Sequence, residues 1–139
     1  MIGAKSISVF SNKLNIQPAD KVSVLGILRY ADDIPFSHTT SFLSAKKFPG
    51  IYALLNGSFS LYQLLEEQYG IEATRKSSRF EVSIPDDKDM ENLQISPKTP
   101  LLVVKSLSES QDGDIVEYCL SKFRGDLCSI TVDFNDVKG

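Results

Sequence analysis

The sequence of 139 residues contains no tryptophan, one histidine and two cysteines. A lone histidine leaves little scope for a Ser-His or Cys-His catalytic pair, and with only two distant cysteines it makes a poor tetrahedral zinc centre. Lysine and arginine are scattered, with no run longer than Lys46-Lys47, and the net charge is -3. Gripping a phosphate backbone takes basic residues gathered on one face, so this chain is not expected to hold nucleic acid by itself. No apolar run is long enough to cross a bilayer, and no charged-then-apolar leader opens the sequence. A cytoplasmic location without a membrane partner is therefore expected. Phosphate loops of the Gly-rich Lys-Ser/Thr kind, Gly-x-Gly-x-x-Gly turns and nucleophile elbows are all missing. The acidic trio Asp86, Asp87 and Asp89 reads as a helix start, where the dipole favours negative charge. No enzyme, cofactor or metal is expected.

What is present is the material of one α+β domain. A short strand and then Val9, Phe10 and Leu14 at helical spacing open the chain. The β-formers of 22–31 and 34–43 flank Asp32-Asp33, a hairpin signal. "IYALL" reads as a turn or two of helix and "NGSF" as a loop. Ser60 then sits at the N-cap of "LYQLLEEQYG", with Gly70 as its stop. A long strand is expected from Ile71 to Ile84, then a short acidic helix after Pro85 with Met90 and Leu93 on its buried side. "LLVVKSLSES" and "IVEYCLSKF" are strands joined by the turn "QDGD", and "LCSITVDF" is expected to close the sheet. The tally is a mainly antiparallel six-stranded sheet flanked by helices. Pairing about the turn "RGD" at 124–126 places Cys119 opposite residue 131 or 132, too far from Cys128 for a disulfide.

Within the first hairpin, Arg29 interrupts an apolar run, and Ser37, Thr39 and Ser41 alternate on the returning strand. His38 has the opposite parity and is expected to face the other side of the sheet. The order of these pieces carries more than any one of them. An arginine-bearing strand runs into "YADDIP", followed by "FSHTTSFL", "FPG", "SLYQLLEEQYG", a long strand, a short acidic helix, "TPLLVV" and "EYCLSKFRGDLCSITVDF". Over roughly residues 14 to 135 this succession resembles the UTRA domain, the effector-binding half of the HutC branch of GntR transcriptional regulators.

The resemblance implies a chorismate lyase-like fold with a pocket for a small, commonly anionic effector such as a sugar phosphate or organic acid. It also implies a homodimer that meets operator DNA only through an N-terminal winged helix-turn-helix. No basic recognition helix is legible, so residues 1–139 are expected to be a single effector domain with that DNA reader absent from this chain. Arg29 matches the anion-binding arginine, and Ser60 and Tyr62 match the "S-L-Y" at which a helix N-terminus meets the anion. Thr39 and Ser41 line the polar strand, while Glu117 and Phe123 match positions that contact the organic part of the effector. Departures are Ile27 where a second arginine often stands, Thr39 in place of a glutamate, and Phe123 in place of an aromatic hydroxyl. They imply a smaller, less charged pocket or a differently functionalised one. Plainer roles stay open: Arg29 as an ion pair with Glu117, Ser60 as a cap, Tyr62 as core packing. A chorismate lyase-like enzyme and a ligand-free dimerisation module are the rival readings, and "TRKSSRFEVSI" is a candidate for pairing across a dimer.

Overall fold

Asp32 and Asp33 both adopt left-handed backbone, with φ of 49° and 67°. Two consecutive residues of this kind make the tight turn whose twist matches that of the strands it joins. It connects β2 (Lys21–Ala31) to β3 (Ile34–Ser44). The structure is a computed structural model, and it describes residues 2–6, 11–14, 20–55 and 60–134. Along the chain follow β1 (Ile2–Ser6), α1 (Ser11–Leu14), β2, β3, α2 (Ile51–Leu54), α3 (Leu61–Tyr69), β4 (Thr74–Ser83), α4 (Asp87–Leu93), β5 (Leu101–Glu109) and β6 (Ile115–Arg124). The strands form one sheet of order β1-β2-β3-β6-β5-β4, antiparallel at every pairing. The "QDGD" turn joins β5 to β6, with Gly113 at φ 84°, a conformation that favours glycine.

Alternation along each strand sends side chains to two faces, and helices cover both. On one face Leu25, Leu43 and Val116 pack with Phe48, Ile51 and Leu65 beneath α2 and α3. On the other, Leu14 of α1 meets Val22, Val24, Phe42 and Tyr118, and Leu93 of α4 meets Leu101 and Val103. Gly125, just beyond β6, donates its N–H to the Pro100 carbonyl at 2.7 Å. A Cβ at that position would lie 2.5 Å from the same oxygen, so this close approach requires glycine.

The short strand expected at the start of the chain is present as β1, and five further expected strands as β2 to β6. The strand expected over 127–134 is not: after the turn the chain runs on without ladder pairing. The reason is topological. β6 lies between β3 and β5, so neither of its edges is open to a hairpin partner. Cys128 consequently does not sit on a strand beside Cys119, and both cysteines are free. The long strand begins at Thr74 rather than Ile71. On α4, Leu93 is fully buried but Met90 only half so, and the second buried residue is Asp89. Val9, Phe10 and the loop at 56–59 lie outside the described residues.

Candidate functional site

The central strands build a polar floor on the face beneath α3. In register, Arg29 pairs with Ser37, Ile27 with Thr39 and Leu25 with Ser41, while Thr39 pairs onward with Ser121 and Ser41 with Cys119. The ladder continues through Ser106 and Ser108 of β5 to Ser78 and Arg75 of β4. Small hydroxyl side chains satisfy one another across the strands, as in Thr39 Oγ1 to Ser121 Oγ at 3.0 Å and Ser78 Oγ to Ser106 Oγ at 2.8 Å. Paired in this way, they hold a shallow floor open where larger apolar residues would fill it.

The roof is the start of α3. Ser60 is its N-cap, its hydroxyl accepting from the Gln63 N–H at 3.5 Å, and Gly70 ends the helix in left-handed backbone. Leu65 anchors the helix in the core. Tyr62 reaches down to the sheet and shares a hydrogen bond with Ser108. Between roof and floor is a cleft of about 430 Å³ lined by Ile27, Arg29, Thr39, Ser41, Ser60, Leu61, Tyr62, Arg75, Glu117 and Cys119.

Six of the residues singled out in the sequence therefore come together here: Arg29, Thr39, Ser41, Ser60, Tyr62 and Glu117. Phe123 does not line the cleft. It shares their face of β6 but lies opposite Ser37 and Leu102, one alternation beyond Ser121. Arg29 is exposed, and among the described residues no carboxylate lies within ion-pair distance of it, so an Arg29–Glu117 pair is not formed. Ser60 does cap, while lining the cleft as well.

Glu117 is 3% exposed, and its Oε1 has no hydrogen-bond partner among the described residues. Burial pushes its carboxyl above the ordinary 4.5, opposed by the Ser41 hydroxyl, the Arg75 charge and Tyr62. Arg75 was not singled out in the sequence. It comes from the edge strand β4 and supplies a second guanidinium where Ile27 supplies none. Burial works against the charge of Arg75, but the Tyr62 hydroxyl and nearby Cys119 and Glu117 outweigh it and push its pKa up. Burial, then the Glu117 charge, raises the Cys119 thiol.

On the opposite face a second cleft of about 460 Å³ is lined by Gly26, Leu28, His38, Thr40, Leu120, Lys122 and residues of α4 and its cap. His38 faces this side, as its parity requires. Burial, then the Lys122 charge, lowers its pKa, and no buried side-chain group lining this cleft lacks a partner. Among the described residues no group of three His, Cys, Asp or Glu could hold a metal ion. No helix among them is long and apolar enough to cross a membrane.

These features define an α+β domain with a side-chain-lined cleft on each face of an antiparallel sheet. The family model described as the UTRA domain matches residues 8–129, and the chain belongs to that family. The HTH-type transcriptional regulator GgaR of Escherichia coli (strain K12) is 28% identical over 117 residues, covering 84% of this chain and 46% of GgaR. The chain spans about half the length of the curated relatives it matches. Among solved structures, the effector domain of PhnF from Mycobacterium smegmatis superposes with a TM-score of 0.89 at 23% identity, over 96% of this chain and 82% of that one. A GntR-family transcriptional regulator from Enterococcus faecalis V583 gives 0.82 at 21% identity, over 94% of each chain. The relatives are named as transcriptional regulators, in agreement with a non-enzymatic domain.

Proposed function

We propose that this chain is the effector-sensing domain of a GntR/HutC-type bacterial transcriptional regulator, and that a small anionic metabolite binds in the cleft beneath α3. The observation that carries this reading is the convergence of Arg29 and the capped start of α3 on one cleft. A guanidinium without a carboxylate partner among the described residues offers two parallel, charge-assisted hydrogen bonds to a phosphate or carboxylate. The unpaired N–H groups and positive dipole end of α3 favour the same charge. Arg75 adds a second cation, and Thr39, Ser41 and Tyr62 add hydroxyls.

The sensor acts as a homodimer in the cytoplasm and reaches operator DNA through a separate helix-turn-helix domain. The HTH-type names of the relatives support that arrangement, as does the exposed edge strand β4. Ligand and DNA are then linked by a population shift between dimer arrangements. That same exposed edge suits a module that only dimerises. The two guanidinium groups and the capped start of α3 gathered on one cleft favour the sensor over that module. Thermal-shift screening of sugar phosphates, carboxylic acids and uncharged sugars tests the reading. Stabilisation by anions alone is expected; stabilisation by none of them leaves the dimerisation module.

A further inference from the structure

The cleft on the opposite face of the sheet, beneath α4, has a different chemistry. Two rows of the ladder form its floor, Leu28–His38–Lys122 and Gly26–Thr40–Leu120. Gly26 stands in the middle of β2, where a glycine weakens a strand. Neither backbone nor packing demands it there. Its conformation is not left-handed, and the nearest atom to an added Cβ is His38 Nε2 at 3.5 Å, an ordinary contact. What the missing side chain supplies is open floor between Leu28 and Leu120. Around that floor the charges cancel. Lys122 is held by Asp89 at 2.9 Å, and Lys88 and Asp86 add one charge of each sign. Burial, then the Lys122 charge, lowers the His38 pKa and favours the neutral imidazole. Three half-buried polar side chains remain, His38, Thr40 and Asn92, none with a side-chain hydrogen bond among the described residues.

We propose that this second cleft binds an uncharged planar heterocycle of the nucleobase kind, its ring lying over Gly26 between Leu28 and Leu120 and its polar edge met by Asn92 and His38. A lining whose charges already balance offers an ion little, unlike the cleft beneath α3, where Arg29 and Arg75 outnumber Glu117. A polyol would set hydroxyls against two leucines and find only three free polar side chains to answer them. A flat ring instead buries its apolar face on the floor and presents donors and acceptors at its rim. The Asn92 carboxamide carries a donor and an acceptor side by side, the pattern that makes paired hydrogen bonds to such a rim. A volume of about 460 Å³ suits a small molecule. The two clefts are independent, because residues 26, 28, 38 and 40 have the opposite parity to 27, 29, 39 and 41, and the sheet separates them.

Calorimetric titration of the full chain with adenosine, uridine and myo-inositol, the last an uncharged control without a flat ring, tests this. At least one nucleoside is expected to bind, about tenfold or more tighter than myo-inositol, through the apolar face it buries. Gly26→Val keeps a strand former in β2 while filling the gap, and should weaken that nucleoside about tenfold or more. If the valine variant does not fold, Gly26→Ala, whose Cβ fits without displacing His38, takes its place with a smaller loss in the same direction. Asn92→Leu should cost about tenfold through the lost pair of hydrogen bonds. An excess of inorganic phosphate should leave nucleoside binding unchanged. Binding by neither nucleoside overturns the proposal, as does myo-inositol binding equally well. Unchanged affinity in either folded variant, or competition by phosphate, places the nucleoside elsewhere and overturns it too.

Discussion

Lys122 Nζ lies 2.9 Å from Asp89 Oδ1, an ion pair that fastens β6 to the first turn of α4. The same carboxylate accepts the Asp86 N–H at 3.1 Å, while Asp86 accepts the Asp89 N–H at 2.8 Å. Asp89 is thus both half of a capping box and the partner of a largely buried cation. Asp89→Ala should destabilise the domain by about 2 kcal/mol, combining a lost cap with an unpaired lysine. Lys122→Met should cost less, because Asp89 keeps its backbone donor. Urea midpoints of the two variants check the order.

Glu117 gives a pH signature. Burial lifts its folded-state pKa above the ordinary 4.5, so the folded chain holds this proton more tightly than the unfolded one. The associated stability is complete below 4.5 and is lost as pH rises through the raised value. Glu117→Gln cannot ionise and escapes that loss. In the absence of ligand its melting temperature should exceed that of the wild type by a few degrees at neutral pH, with the gap closing as pH falls towards 4.5. Melting curves across this range settle the sign.

The edge strand β4 bears on the proposed homodimer. Phe80, Val82 and Ile84 are 54%, 79% and 80% exposed, and Ile130, Val132 and Phe134 of the unpaired tail are exposed as well. An open edge beside apolar side chains invites strand pairing with another chain. Antiparallel pairing of two β4 strands about Phe80 would set Arg79 of each opposite Glu81 of the other. Phe80→Glu should shift sedimentation from dimer to monomer at micromolar concentration, without loss of the β-sheet circular dichroism signal.

The hairpin of β2 and β3 was legible because Asp32-Asp33 is local turn chemistry, and α3 because its cap, apolar spacing and terminal glycine agree. Six cleft residues were legible through period-two parity and the family resemblance together. Arg75 was not, because its place depends on β4 closing the sheet beside β5, a long-range pairing that no local pattern specifies. The tail at 127–134 misled for a related reason: its alternation reads as a strand, but the sheet order leaves β6 no free edge to pair with it. The burial of Glu117 is likewise a property of packing, invisible in the spacing of residues.

The most direct test is titration of the tightest-binding anion from the thermal screen into wild-type protein and Arg29→Ala, with circular dichroism confirming that both are folded. The account predicts at least a thirtyfold loss of affinity in the variant, equivalent to about 2 kcal/mol for a charge-assisted pair. Unchanged affinity in a folded Arg29→Ala protein would place the anion elsewhere and contradict the site.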